Sequence, residues 1–251
     1  MQIYPAIDLR GGQVVRLYQG DYEKMTVYGN DPARQAAAFA AQGAEYLHVV
    51  DLDGAKDGTL ANFASIQSIA RQSGLYIEVG GGIRTLQDFD RVLKCGADKV
   101  SVNSGAIENP GLIAEAAQKY GDQCVVLSCD VKRVEGQFRV FAKGGRVDTG
   151  LDALEWIETC VKHGAGEVCL NSIDTDGVRG GFDLAMLDAV AARVKVPIIA
   201  SGGAGKMQDF AELFRHKGID AGLAAGIFHT KAVQIPDLKA YLRAQGIEMR
   251  L

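Results

Sequence analysis

Short apolar runs alternate with helical patterns along the whole chain. The runs are rich in β-branched residues and nearly free of polar ones, as expected for strands buried on both faces. They lie at Gln2–Ile7, Tyr46–Val50, Leu75–Val79, Lys99–Val102, Cys124–Cys129, Glu167–Leu170, Val196–Ala200 and Ala221–Ala224. Amphipathic segments between them predict helices at Pro32–Gln42, Leu86–Lys94, Pro110–Lys119, Leu154–His163, Leu184–Val194 and Gln208–Arg215. Eight strands alternating with helices indicate an α/β fold, either a (β/α)₈ TIM barrel or a doubly wound open sheet.

An internal repeat favours the barrel. Asp8 and Asp130 each follow a buried run, and later motifs recur at nearly the same offset, about 122 residues. DLDG at 51–54 matches DTDG at 174–177, and GGGIRTLQDF at 80–89 matches SGGAGKMQDF at 201–210. Matches in the same order at one offset indicate a duplicated half-barrel. We therefore expect one domain over 1–251, with half-barrels at about 1–122 and 123–251.

The residues that follow the predicted strands point to a site for a long anionic substrate. In a β/α barrel the chemistry lies at the carboxyl ends of the strands, where the repeat places Asp8 and Asp130 on opposite sides of one mouth. Glycine-rich turns follow the third and seventh strands, and such turns can bind phosphate through backbone N–H groups. Two related turns predict a small-molecule substrate with a phosphate at each end. The alternatives are that the glycines are needed only for tight packing, and that a strand-end Asp only caps the next helix.

Composition excludes several other classes of protein. The net charge of −4 argues against nucleic-acid binding, and no apolar run is long enough for a membrane span. No signal peptide is visible, and five cysteines without a C-x-x-C pair suggest neither disulfides nor structural zinc, so we expect a cytoplasmic protein. The four histidines have no metal-ligand spacing, and His48 is interpreted as packing within a strand. The sequence therefore predicts no metal and no cofactor.

The chain resembles two sister families of histidine-biosynthesis half-barrel enzymes. Residues 1–58, with PAIDLRGGQVVRLYQGDY and YLHVVDLDGAKDG, resemble phosphoribosylformimino aminoimidazole carboxamide ribotide isomerase. From 96 onward, stretches such as GADKVSVNSGAIENP, CDVKRVEGQFRVF and LNSIDTDGVRGGFD resemble the cyclase subunit of imidazole glycerol phosphate synthase. Residues 60–95 fit both families. On this basis the chain is interpreted as a hybrid of the two, natural or constructed.

The resemblance implies a role for each candidate residue. Both families use an Asp after strands one and five, so Asp8 is assigned as base and Asp130 as acid. One phosphate is assigned to Gly82, Asn103 and Ser104, and the other to Gly177, Gly202, Gly203 and Gly226. Arg16, Gln19 and Gly20 would close over the substrate from the first loop, and Asn171 and Asp176 complete the predicted binding set.

Some positions depart from both families. Asn171-Ser172 stands where both relatives carry a Thr, the fifth loop lacks the Trp of some isomerases, and Arg16 replaces a cyclase Lys. Cyclases also bind a glutaminase at the amino-terminal face of the barrel through a ring of four charged residues. Lys99 and Glu167 match that ring, whereas Gln2 and Tyr46 do not. The sequence therefore predicts that a glutaminase partner is unlikely.

Three functions follow from these observations. The first is the isomerase, which would convert a bis-phosphorylated aminoaldose to the aminoketose by an Amadori rearrangement with Asp/Asp acid–base catalysis. The second is the cyclase, which would combine the aminoketose with ammonia and split it into an imidazole phosphate and an aminoimidazole carboxamide ribotide. The third is a folded hybrid barrel with little activity. The isomerase-type first loop favours the isomerase.

Overall fold

The computed structural model describes residues 1–18 and 21–249. Predicted site residues Gln19 and Gly20 lie outside the described residues. The strands are β1 Gln2–Arg10, β2 Gln13–Tyr18, β3 Asp21–Gly29, β4 Tyr46–Asp51, β5 Tyr76–Gly80, β6 Lys99–Val102, β7 Val125–Val134, β8 Gln137–Ala142, β9 Val147–Asp152, β10 Glu167–Ser172, β11 Ile198–Ser201 and β12 Ala221–Ala224. The helices are α1 Pro32–Ala41, α2 Leu52–Asp57, α3 Phe63–Gln72, α4 Leu86–Lys94, α5 Ser104–Glu108, α6 Gly111–Tyr120, α7 Ala153–Lys162, α8 Leu184–Ala191, α9 Met207–Leu213, α10 Gly226–His229 and α11 Ile235–Ala244, with a 3₁₀ turn at Asp122–Cys124.

Eight parallel strands close into a barrel. They follow the order β1, β4, β5, β6, β7, β10, β11, β12, and β12 pairs with β1. The pairing of β7 with β10, from Glu167↔Val126 to Ser172↔Val131, excludes the open-sheet alternative. The predicted (β/α)₈ TIM barrel is confirmed. The half-barrel boundaries remain a prediction from the repeat.

The predicted helices form where local sequence signals support them. Asp31 caps α1 by accepting a hydrogen bond from the Arg34 N–H at 3.0 Å, and Pro32 follows at the start of the helix. At α4 the Thr85 hydroxyl accepts from the Asp88 N–H at 3.2 Å, and the Asp88 carboxylate accepts from the Thr85 N–H at 3.0 Å. No helix in the described ranges is long and apolar enough to cross a membrane.

The core has two parts. The larger lies between the strands and the surrounding helices and includes Phe39, Phe89 and Phe210, each fully buried. The smaller fills the barrel interior and contains Tyr4, Val126, Cys169 and Ile199 among others. Because successive side chains of a strand alternate between these two regions, each strand is buried on both faces.

Two antiparallel hairpins extend the sheet at the carboxyl-terminal end of the barrel. β1 continues into β2 and β3, with Asp8 paired to Val15, and β7 continues into β8 and β9, with Asp130 paired to Phe141. Each hairpin thus begins at a candidate catalytic Asp. The first hairpin turns back over the mouth of the barrel and carries Arg16 to the site.

Candidate functional site

Asp8 and Asp130 line the same cavity at the carboxyl-terminal end of the barrel. The cavity has a volume of about 220 Å³. Asp8 extends from β1 and Asp130 from β7, the first and fifth strands of the barrel, so the structure brings together the two carboxylates that the repeat singled out.

Arg16 bridges Asp8 and Asp176, which lie on opposite sides of the barrel mouth. One guanidinium nitrogen donates to Asp8 Oδ2 at 3.1 Å, and the other forms a short ion pair with Asp176 Oδ1. Burial opposes the charge on Arg16, but the carboxylates of Asp176 and Asp8 outweigh it and raise the pKa of Arg16. The result is a fixed carboxylate–guanidinium–carboxylate chain across the mouth.

Asp130 has a different environment. Asn103 Nδ2 donates to one oxygen and Asn171 Nδ2 to the other, each at 3.0 Å. Burial raises the pKa of Asp130 above the ordinary carboxyl value, and the amide donors, which favour the charged form, lower it by less. One carboxylate therefore lies beside a cation, and the other lies where burial favours its protonated form. An acid–base pair requires such a difference.

The two asparagines position Asp130. Asn103 Nδ2 also donates to the Phe141 carbonyl at 3.0 Å, which anchors the amide between β6 and β8. The side chains of Asn103 and Asn171 are thus already used on the carboxylate, so phosphate binding at Asn103 would have to involve its backbone.

The first glycine turn follows β5. Gly81 and Gly82 have φ of +92° and +76°, and a Cβ would lie 2.2 Å from the Asp51 carbonyl oxygen and 2.3 Å from that of Thr59, respectively. Tight packing alone therefore explains glycine at both positions. Gly82 and Ser104 line the cavity, and the Ser104 hydroxyl accepts from the Lys143 N–H at 2.8 Å.

The second glycine turn follows β11 and lines an adjoining cavity of about 190 Å³. A Cβ on Gly203 would lie 2.0 Å from the Gly181 carbonyl oxygen, and one on Gly202 would lie 2.6 Å from that of Ser172. At Gly226 the nearest atom among the described residues would be 3.8 Å away, on Arg179. Packing therefore does not require glycine at position 226. The absent side chain leaves open space beside the Arg179 guanidinium. Gly177 also lines this cavity.

Sequence reasoning missed several polar side chains of the site. Arg84 and Arg146 line the cavity at the first glycine turn, and Arg179 lines the cavity at the second. Each cavity therefore has a cation at its wall, as binding of a phosphate at each end would require. Arg84 lies within the repeated motif at 80–89, and Arg179 lies two residues after the motif at 174–177; proximity to these motifs was the available signal.

Some strand-end residues have structural roles. The Asp51 carboxylate is fully buried and accepts from the Gly54 N–H at 2.9 Å and the Asn62 N–H at 2.7 Å. Asp174 accepts from the Arg133 N–H at 2.8 Å. Both carboxylates therefore connect separate loop segments through hydrogen bonds from backbone N–H groups.

At the opposite end of the barrel, Lys99 and Glu167 form a short ion pair. The Gln2 amide donates to the Tyr46 hydroxyl at 3.2 Å, and the Tyr46 ring stacks on Tyr4 and on Tyr76. The amino-terminal mouth therefore combines one ion pair with a cluster of three tyrosine rings.

Comparison with known proteins identifies the family of this chain. Residues 2–234 match the family described as histidine biosynthesis protein. The chain belongs to that family. Imidazole glycerol phosphate synthase subunit HisF of Helicobacter hepaticus is 43% identical over 251 residues, covering 100% of this chain and 98% of the relative. The proteins of the same name from Metallosphaera sedula and Streptococcus sanguinis are 41% and 42% identical, each across 98% of its own length.

These comparisons correct three expectations. The isomerase assignment is wrong, because relatives at 41–43% identity over the full length carry the name of the synthase subunit. The hybrid interpretation is not supported, because the same relatives match the first 58 residues together with the rest. The expectation that a partner subunit is unlikely is not supported either, because the relatives are named as subunits. The chain is a TIM barrel of a histidine-biosynthesis enzyme family.

Proposed function

We propose that this chain is the cyclase subunit of an imidazole glycerol phosphate synthase. Its reaction would combine a bis-phosphorylated aminoketose with ammonia and yield an imidazole phosphate and an aminoimidazole carboxamide ribotide. The observation that carries the proposal is the full-length similarity to HisF proteins, at 43% identity for the Helicobacter hepaticus relative.

The two carboxylates suit this chemistry. Condensation of ammonia with a ketone needs an acid to protonate the departing oxygen and a base to take protons from nitrogen. Asp130, whose pKa is raised by burial, is proposed as the acid, and Asp8 beside Arg16 as the base. Asn103 and Asn171 would orient Asp130 through their amide groups.

The two cavities suit the two phosphates. We assign one phosphate to the region of Gly82 and Ser104, with Arg84 and Arg146 at the wall. The other is assigned to Gly177, Gly202, Gly203 and Gly226, with Arg179 at the wall. Arg16 and Asp176 line both cavities, so they would lie beside the middle of the substrate, where the reaction takes place. Gln19 and Gly20 retain their predicted role in closing the first loop.

We also propose that a second subunit supplies ammonia. The relatives' name implies such an assembly, and the Lys99–Glu167 pair keeps two of the four charged positions that the resemblance assigns to the docking face. Gln2 and Tyr46 replace the other two, so the partner would have to match an aromatic, less charged mouth.

The test is an assay of the purified chain with the aminoketose and ammonium salts, with the imidazole product followed by chromatography. We expect ammonium-dependent product formation, with loss of the aminoketose. Loss of the aminoketose without an imidazole product, or no loss of the aminoketose at saturating ammonium, would refute the proposal.

A further inference from the structure

Tyr22 of the first hairpin contacts the turn of the second hairpin at the rim of the larger cavity. Its hydroxyl donates to the Leu52 carbonyl at 2.7 Å, which anchors the side chain at the end of β4. Two guanidinium groups lie over its ring, that of Arg10 at 5.2 Å from the ring centroid and that of Arg146 at 4.9 Å. The face of an aromatic ring attracts a cation. Tyr22 therefore links the two hairpins through a cation–π contact.

Arg146 follows a constrained turn between β8 and β9. Lys143, Gly144 and Gly145 have φ of +55°, +67° and +79°, and the first of these values is unusual for a residue with a side chain. The turn is connected to the larger cavity, because the Lys143 N–H donates to the Ser104 hydroxyl at 2.8 Å. The Arg146 Nε in turn donates to the Lys143 carbonyl at 2.6 Å. These contacts hold one edge of the Arg146 guanidinium group.

The two terminal nitrogens of Arg146 are available to a ligand. Across residues 1–18 and 21–249, neither of them makes a hydrogen bond or a salt bridge. Arg84, at the same cavity, differs because it forms a salt bridge with Glu108. Arg146 shares the cavity lining with Gly82 and Ser104, to which one phosphate is assigned. A guanidinium with two available N–H groups can bind a phosphate through parallel hydrogen bonds.

We propose that Tyr22 is a positioning residue for phosphate binding and that it acts through Arg146. The Tyr22 ring and the Lys143 carbonyl together fix the plane of the guanidinium group, which keeps its two terminal nitrogens ready for the phosphate. Because Tyr22 lies on the first hairpin, phosphate binding at this end of the substrate depends on the position of that hairpin. The identity of the phosphorylated substrate rests on the proposed function, whereas the contact between Tyr22 and Arg146 does not.

The test uses inorganic phosphate and phenylglyoxal, a reagent that modifies arginine. Modification of Arg146 would be measured by mass spectrometry of peptides at increasing phosphate concentration. In the parent, phosphate should protect Arg146. Tyr22→Leu should raise the phosphate concentration that gives half-protection about two- to fivefold, equivalent to the loss of one exposed cation–π contact. Tyr22→Phe keeps the ring and lacks the hydroxyl, so it should retain the parental midpoint.

Phe138→Leu is the matched control. The Arg133 guanidinium lies over the Phe138 ring at 4.3 Å on the second hairpin, but Phe138 lines neither cavity. This substitution should leave the phosphate midpoint unchanged. Tyr22→Met, which also lacks a ring, would replace Tyr22→Leu if that variant did not fold.

Four results of this experiment would overturn the proposal. They are no protection of Arg146 by phosphate in the parent, an unchanged midpoint in the folded ring-free variant, equal shifts in the ring-free variant and in Tyr22→Phe, and a shift of the same size in Phe138→Leu. Equal shifts would mean that Tyr22 acts only through its hydroxyl, as an anchor of the hairpin.

Steady-state kinetics with the aminoketose and ammonium provide a second measurement. Arg146→Gln should raise KM about tenfold, as expected for the loss of a charge-assisted hydrogen bond. Tyr22→Leu should raise KM about two- to fivefold with kcat within about twofold of the parent. In the Arg146→Gln background, Tyr22→Leu should have no further effect on KM, and additive effects would overturn the proposal. Because the phosphate experiment uses no substrate, it decides the role of Tyr22 even if the cyclase proposal fails.

Discussion

Replacing Asp130 by Asn removes one proton-transfer group while preserving shape. In the parent, both carboxylate oxygens accept amide hydrogens, from Asn103 and from Asn171. In Asp130→Asn one of these oxygens becomes an NH₂ group that faces another NH₂ group. Asn103 is also held by the Phe141 carbonyl, so we expect Asn171 to be the residue that turns away.

The structural cost of this change is small and the chemical cost is large. Losing one hydrogen bond costs about 0.5–1.5 kcal/mol, and removing a buried carboxylate offsets part of it. Removing a general acid lowers the rate by about 10²–10⁴, equivalent to about 2.7–5.4 kcal/mol of transition-state stabilisation. The variant should therefore fold like the parent and lose nearly all turnover.

The assay compares kcat, KM and Tm of Asp130→Asn with those of Asp174→Asn. Asp174 is the control because its carboxylate accepts from the Arg133 backbone and does not line either cavity. We expect Asp174→Asn to keep a near-parental rate. If Asp130→Asn retained more than about a tenth of the parental kcat, the assignment of Asp130 as the acid would be refuted.

Three further predictions follow from the same geometry. Arg16→Met should lower kcat at least about tenfold, because it removes both charge-assisted hydrogen bonds of the guanidinium, to Asp8 and to Asp176; an unchanged kcat would contradict this. Gly203→Ala should destabilise the fold by about 1–3 kcal/mol or more, because its Cβ would lie 2.0 Å from the Gly181 carbonyl oxygen. Gly226→Ala should leave Tm unchanged and raise KM. Equal effects of the two substitutions on Tm in thermal melts would contradict this prediction. Because the folded-state pKa of Asp130 is raised, its contribution to stability is complete below the ordinary carboxyl pKa and is lost as pH rises through the raised value. Asp130→Asn should thus gain Tm relative to the parent on going from acidic to neutral pH, and melts showing no such trend would refute that sign.

The barrel was predictable because its strands are short, apolar and buried on both faces. The pattern found the eight barrel strands, and α4 begins and ends where predicted, at Leu86–Lys94. The pattern did not find β2, β3, β8 and β9, since hairpins at the mouth are polar on one side and follow β1 and β7 closely. It also missed α3 and α11.

Individual site residues were predictable from the sequence, whereas contacts between residues on different strands were not. The repeat identified Asp8, Asp130 and the glycine turns. It could not show that Asn103 and Asn171 meet on Asp130, or that Arg16 spans Asp8 and Asp176, because these contacts join residues up to 160 positions apart. The isomerase assignment failed for a related reason: it gave the first 58 residues more weight than similarity over the whole chain.

The most direct test of the cyclase proposal follows the nitrogen of ammonia. The purified chain would be incubated with the aminoketose and isotopically labelled ammonium, and the products analysed by mass spectrometry and NMR. We expect label in the imidazole ring and none in the aminoimidazole carboxamide ribotide. Consumption of the aminoketose without label in an imidazole product, or no consumption at saturating ammonium, would contradict it.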